Sequence, residues 1–198
     1  RDGDCNALSG VYFSEFTDGL HTCKPFPIKP NWKKYRSMDY GLDMHFCIWA
    51  AVDETGRCYV YRQFAQPDQI VSDAARMQIK LTRPDENINY TIAPPDLWAR
   101  NRENGKSQAN TFMECGLSLY KADNNRKQGW YALKEMLKIR EDGKPGLIIF
   151  DTCGSLIESM KCLQHDKTDP NDVAKQPHEI THGPDALRYF AQTYTLPA

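Results

Sequence analysis

Phe46-Cys47-Ile48-Trp49-Ala50-Ala51-Val52 constrains the fold more than any other stretch of the chain. It is apolar at every position and stops at Asp53. Such a run reads as a strand covered on both faces, because a half-exposed strand would alternate. Glu54-Thr55-Gly56 supplies a turn, and Arg57-Cys58-Tyr59-Val60-Tyr61-Arg62-Gln63-Phe64 follows as a second strand rich in aromatic and β-branched residues. Upstream, Tyr35-Arg36-Ser37-Met38-Asp39-Tyr40-Gly41 fits a strand ending at a glycine. Three strands joined by short turns form an antiparallel meander, with its central strand buried between two layers.

The rest of the chain supplies those layers. Ile70, Ala74, Met77 and Leu81 recur at helical spacing and predict a helix over 68–82. Tyr90-Thr91-Ile92-Ala93 reads as a fourth strand, ended by Pro94-Pro95. Ser107 is a natural N-cap for a helix through Cys115, Leu117-Ser118-Leu119-Tyr120 a short strand, and 126–139 a helix with Trp130, Leu133 and Leu137 on one face. Leu147-Ile148-Ile149-Phe150 is a buried strand. A helix from Thr152 or Ser155 to Leu163, a polar loop over 164–181 and a terminal helix complete the order. His182-Gly183 reads as the turn into that last helix, Pro184 suits its first turn, and Ala186, Leu187, Phe190 and Ala191 form its inward side. The pattern implies one mixed α/β sheet, three antiparallel strands plus parallel strands, with helices on both faces.

Residues 1–34 read as a basic arm or linker, and 35–198 as the folded domain. Gly10-Val11-Tyr12-Phe13 suggests a short strand, and Pro25, Pro27 and Pro30 keep the arm extended. Lys24, Lys29, Lys33, Lys34 and Arg36 make it basic, so it is either a solvated strap or a contact for a DNA backbone. The net charge of −1 leaves a nucleic-acid partner open, because a local basic groove binds phosphate on a neutral protein. No apolar run approaches the roughly 18–20 residues of a membrane span. The chain begins at Arg1 and not Met, which suggests a piece of a longer protein. Seven cysteines, an odd number without a CxxC, suggest reduced thiols in a protein that is not secreted. His178 and His182 stand four apart in a polar loop, and no zinc site is expected of them.

The acids that matter sit at element ends. Asp39 closes the first core strand, Asp96 follows the fourth, and Asp185 lies in the first turn of the last helix. If the first and fourth strands are adjacent and parallel, Asp39 and Asp96 emerge on one rim, where sites form in α/β sheets. Each has a plainer reading: a turn residue, an N-cap, and a complement to the helix dipole worth about 0.3–1 kcal/mol. Three converging carboxylates repel one another unless cations neutralise them. Oxygen-only ligands suit Mg2+ or Mn2+, and two such ions can activate water and stabilise the leaving oxygen of a phosphodiester. Asp151, after the strand ending at Phe150, is the reserve acid, and Asp43 an accessory candidate. Arg100, Arg102 and Lys106, with Arg126 and Lys127, are candidate phosphate contacts alongside Lys33 and Lys34. No Walker glycine loop, GxSxG or GxGxxG is present.

Taken together, Gly10-Val11-Tyr12-Phe13-Ser14-Glu15-Phe16, the Asp39 strand, Trp49-Ala50-Ala51-Val52-Asp53 with Gly56 and Tyr59-Val60-Tyr61-Arg62, Pro95-Asp96-Leu97-Trp98, Asn125-Arg126-Lys127-Gln128-Gly129-Trp130 and His182-Gly183-Pro184-Asp185-Ala186-Leu187-Arg188-Tyr189 give the chain a resemblance to the nuclease domain of the large terminase subunit of tailed bacteriophages. It implies an RNase H-like fold and a metal-dependent endonuclease cutting double-stranded viral DNA during packaging, with Asp39, Asp96 and Asp185 as catalytic and metal-binding acids. It also implies a packaging ATPase domain in the same full-length chain, portal and small-subunit partners, and work in the host cytoplasm. Thr181 stands where such proteins often carry an acid; Glu179 or His182 could compensate. The alternatives are another enzyme on the same fold, such as a junction resolvase or transposase core, or a non-catalytic docking domain.

Overall fold

The computed structural model describes residues 10–41 and 43–195. Cys5 and the first part of the arm lie outside the described residues, as does Leu42. The meander is present as β2 (Lys33–Tyr40), β3 (His45–Val52) and β4 (Cys58–Gln66), after a two-residue β1 (Thr22–Cys23). There follow α1 (Val71–Leu81), β5 (Ile88–Ala93), α2 (Gln108–Glu114), β6 (Leu119–Lys121), α3 (Arg126–Leu137), β7 (Leu147–Phe150), α4 (Gly154–Cys162) and α5 (His182–Thr195). The seven strands form one sheet in the order β1-β7-β4-β3-β2-β5-β6. β5 pairs parallel with β2, β6 with β5, β7 with β4 and β1 with β7, so among the described residues β3 alone runs the other way.

Side-chain alternation along β2 decides what each face receives. Arg36, Met38 and Tyr40 point to the layer holding α1: Arg36 Nη1 donates to Thr82 Oγ1 at 3.2 Å and Tyr40 Oη to the Gln69 carbonyl at 2.8 Å. Tyr35, Ser37 and Asp39 point the opposite way, where Ser37 Oγ donates to the Ala186 carbonyl of α5 at 2.7 Å. The same parity that buries Ser37 under α5 therefore carries Asp39 to the first turn of that helix. α5 is held from outside by α3 and α4 and is buried along most of its length. Its Ala186, Leu187, Phe190 and Ala191 are fully buried, each large side chain contributing about 1.5–3 kcal/mol.

Four features depart from the sequence reading. Val11 makes only an isolated bridge to Gln164, not a strand, because Tyr12 and Phe13 turn inward and are buried against Trp130. The arm has no break in packing at residue 34. Trp32 stacks on Tyr59 at 5.3 Å and donates to Glu54, while Thr22–Cys23 joins the sheet edge. Cys162 is disulfide-bonded, contrary to the expectation of reduced thiols throughout; Cys23, Cys47, Cys58, Cys115 and Cys153 are free. Finally, α5 begins at His182 itself, since Thr181 offers the first carbonyl, 2.9 Å from the Asp185 N–H.

His45 opens the central strand and has no access to solvent. It lies between the rings of Tyr40 and Phe64, and the Gln78 amide donates to its Nε2 at 3.1 Å, which a neutral imidazole accepts. Burial holds its pKa down at about 4. The native state thus takes up this proton later than the unfolded chain, whose histidine titrates near 6.5. The associated stability is complete above pH ~6.5 and is lost as pH falls towards about 4, up to roughly 3 kcal/mol in total. Urea titrations across that window should show a slope in the wild type that His45→Gln flattens. An unchanged slope would show that His45 is not the group responsible.

Candidate active site

Asp39 and Asp185 meet where β2 passes under the first turn of α5. Two glycines permit the approach. A Cβ on Gly183 would sit 3.0 Å from Phe46 Cζ and 3.1 Å from Leu156 Cδ1, tight contacts that glycine avoids as this turn presses onto the sheet. A Cβ on Gly129 of α3 would overlap Arg188 Cγ and lie 2.9 Å from its Cδ. The missing side chain leaves the channel through which Arg188 reaches back to Asp185.

Asp185 is almost wholly buried and is held by two arginines. Its Oδ1 accepts from Arg188 Nε at 2.9 Å and Nη2 at 2.8 Å, and from Arg126 Nη1 at 3.2 Å. Among the described residues its Oδ2 has only a longer contact with Arg126 Nη1, at 3.4 Å. Both guanidinium groups lie over the Trp130 ring, 5.2 and 5.1 Å from its centroid, and Asp172 fixes the assembly by accepting from Arg126 Nε and Trp130 Nε1, both at 2.8 Å. Burial opposes the charge on Arg126, but Asp185 and Asp172 outweigh it and raise its pKa.

Asp39 is about one-fifth exposed. Burial, with the nearby charge of Asp185, raises its pKa above the usual carboxylate range, against the opposing hydrogen bond from His182. His182 Nδ1 donates to Asp39 Oδ2 at 2.8 Å and its Nε2 to Asp43 Oδ2 at 3.2 Å. Burial alone would lower the His182 pKa; the two flanking carboxylates overcome it and raise it. Asp43 also accepts from His178 Nδ1 at 2.7 Å. These imidazoles hold the Asp43 pKa below its ordinary value despite some desolvation.

Asp96 occupies a 3-10 turn, Pro95–Trp98, directly after β5. The parallel register of Ser37 with Ile92 puts it on the same rim as Asp39, two positions further on. It is exposed, and among the described residues its carboxylate makes no hydrogen bond or ion pair. Glu179 is exposed in the turn before α5, and the Thr181 hydroxyl donates to the His178 carbonyl at 2.9 Å, closing that turn. Asp151 belongs elsewhere. The β4–β7 register sets it level with Arg62, hence with Arg36, about 10 Å short of Asp39 along the strands and about 14 Å away across them. It pairs instead with Lys24 at 2.6 Å.

The candidate cations divide by occupation. Lys34 is buried, its ammonium donating to the carbonyls of Lys29, Pro30 and Trp32 at 2.9–3.0 Å, so it is a structural brace and cannot meet phosphate. Arg126 is committed to Asp172 and Asp185, Lys127 to Asp169 at 2.5 Å and Lys106 to Glu114 at 3.1 Å. Lys33, Arg100 and Arg102 are exposed and without an ionic partner among the described residues. Sequence reasoning passed over Arg188 and Asp172. The three-residue step from Asp185 to Arg188, which places both on one helix face, was the available signal for the first.

The sequence matches no protein-family model and no curated protein. Solved structures do share the fold. The large terminase of a thermophilic bacteriophage aligns with a TM-score of 0.76 at 18% identity, over 93% of this chain and 45% of that protein. The nuclease domain of the P22 large terminase aligns at 0.73 and 18% identity, over 93% of this chain and 92% of that domain. The fold is that of the large-terminase nuclease domains. A third match, the large terminase nuclease from the thermophilic phage G20c, solved with bound magnesium, aligns at 0.60 and 12% identity over 96% of this chain and 98% of that one. This chain thus spans nearly all of the isolated nuclease domains and under half of the first, larger terminase. The mixed seven-stranded sheet flanked by helices is the RNase H-like arrangement that the resemblance implies.

The arginine cage around Asp185 is a stability element as well as a site element. Removing one partner from a buried ion pair leaves an uncompensated charge and costs about 3–5 kcal/mol. Arg188→Ala should therefore lower the unfolding free energy by about that amount in urea titrations. A loss below about 1 kcal/mol would mean that Arg126 alone compensates Asp185.

Proposed function

We propose that this chain is the nuclease part of a phage large terminase, a divalent-metal-dependent endodeoxyribonuclease that hydrolyses double-stranded viral DNA during genome packaging with little sequence preference. The observation carrying this reading is the meeting of Asp39 and Asp185 between β2 and α5, on a fold shared with terminase nuclease domains. The donor set fits a hard cation. Two carboxylates converge where burial and mutual repulsion hold the Asp39 pKa up, and a cation between them relieves both. The shorter arginine bonds go to Asp185 Oδ1, which leaves Oδ2, with its longer 3.4 Å contact to Arg126, as the oxygen for that purpose. Asp96 reaches the same rim from β5 as the third acid. Mg2+ or Mn2+ bound there, two ions when DNA is present, would activate the attacking water and stabilise the leaving oxygen.

The chain's own residues then have defined tasks. His182 orients Asp39 through Nδ1, and Arg188 with Arg126 fixes the rotamer of Asp185. Asp43 and Glu179 stand outside these groups as accessory acids. Arg100 and Arg102, exposed on the loop after Asp96 and without an ionic partner among the described residues, would contact phosphate together with the exposed Lys33; such contacts carry no sequence information. A packaging ATPase domain in the same full-length chain accords with the partial coverage of the larger phage terminase. Portal and small-subunit partners and the host cytoplasm complete the proposal. Among the described residues no helix is long and apolar enough to cross a membrane.

Asp39→Asn and Asp185→Asn should each reduce Mn2+-dependent cleavage of linear and supercoiled duplex to background, and Asp96→Asn should impair it strongly. Mn2+ should raise the melting temperature of the wild type and not of Asp39→Asn, as expected for a ligand that binds only the native state. Full cleavage by Asp39→Asn would sink the assignment. Activity confined to four-way junctions would replace the terminase reading with a resolvase.

A further inference from the structure

We infer that His178, His182 and Asp43 form a second cation site, selective for an imidazole-binding metal of the Zn2+ or Co2+ class and separate from the carboxylate site of Asp39, Asp96 and Asp185. One ligand atom from each of the three residues lies within 4.8 Å of the other two. A tetrahedral ion with bonds of about 2.0–2.1 Å sets its ligand atoms about 3.3–3.5 Å apart, close to the separations found here. A single Asp43 oxygen already receives both imidazoles, from His178 Nδ1 at 2.7 Å and His182 Nε2 at 3.2 Å, so two N–H groups occupy directions that one ion would fill.

The three ligands come from two segments of the chain. His178 opens the 3-10 turn His178–Ile180, which runs into α5 at His182, and their rings stand 4.5 Å apart, close to perpendicular. Asp43 sits in the β2–β3 connection, where its carboxylate folds over Gly41; a Cβ there would lie 2.5 Å from Asp43 Oδ1. His182 is buried, whereas Asp43 and His178 are about half exposed, so an ion has an open path and a free coordination position. Asp39 on His182 Nδ1 supplies what metal-binding histidines usually have: a carboxylate on the other ring nitrogen that fixes the ring and strengthens its donor atom. Two imidazoles and one carboxylate favour zinc, cobalt and similar ions over Mg2+, which prefers oxygen alone.

This site goes beyond the nuclease reading, although Asp39 links the two. An ion on Nε2 would lock His182, and with it the hydrogen bond that orients Asp39. The test reads binding and not cleavage. Tag-free protein in excess Mg2+ is titrated with Co2+, following its visible d–d bands, and with Zn2+ by calorimetry. One equivalent should bind, without the thiolate charge-transfer band that cysteine ligation would give. His178→Ala and Asp43→Asn should abolish the tight step, and Asp185→Asn should retain it. Asp39→Asn leaves the three ligands in place and should weaken binding about 10–100-fold, the usual effect of losing the outer partner. Unchanged Co2+ binding in a folded His178→Ala protein, or displacement of Co2+ by Mg2+, overturns the inference. Because no step depends on DNA cleavage, the outcome is independent of the nuclease assignment.

Discussion

The structure is organised around two like charges that it keeps close together. Asp39 and Asp185 come from different elements, both largely buried, and their repulsion contributes to a raised Asp39 pKa. Most of the nearby polar architecture answers that repulsion. Arg188 and Arg126 neutralise Asp185, Asp172 and the Trp130 ring hold the arginines, and His182 neutralises Asp39. The Gly129 contact with Arg188 and the Gly183 contact with Phe46 serve the same end, since each removes a side chain that would separate the charged layers. A domain that needed only stability would do as well with apolar residues in these positions. Retaining two buried acids and their compensating bases is what the proposed cation site would call for.

The approach is encoded in the parity of one strand. β2 sends Arg36 and Met38 into the α1 layer and Ser37 and Asp39 towards α5. A one-residue slip would exchange these sets, burying Ser37 and Asp39 under α1 and pressing Arg36 against α5. Pairing with β3 on one side and β5 on the other resists that slip, and β3 is buried on both faces along its whole length. The apolar run Phe46 to Val52 is therefore more than core material, because it pins the register that aims Asp39.

That run, the meander and the three parallel strands β5, β6 and β7 were legible because they rest on local patterns of apolarity and turn residues. The features that were not legible depend on distant register. Asp151 follows a strand end as Asp96 does, but its level is set by where β7 pairs along β4, which no local pattern records. Lys34 looked like a surface cation, and its burial follows from three carbonyls that the proline-rich arm turns back over it. Thr22–Cys23 is too short to show any periodicity and forms a strand only because β7 offers an open edge. At the site, Asp39 and Asp185 could be found at element ends. His178 could not, because its meeting with Asp43 joins the turn before α5 to a hairpin over a hundred residues earlier.

The placement of charge also sets a direction of approach for the proposed substrate. The bases nearest Asp185 are all spent: Arg188 is buried, Arg126 is shared between two acids, and Lys127 is paired with Asp169. Arg100 and Arg102, on the loop that continues from Asp96, have no ionic partner among the described residues. A polyanion would thus find its unpaired cations on the β5 side of the rim and a mixed cluster of acids and imidazoles on the Asp43 side. With a net charge of −1 there is little long-range attraction to draw DNA to the domain as a whole. Local contacts near Asp96, and whatever adjoins this domain in a longer chain, would have to supply it. On the proposed reading, a nuclease with weak attraction of its own would cut only where another part of the machine delivers the duplex.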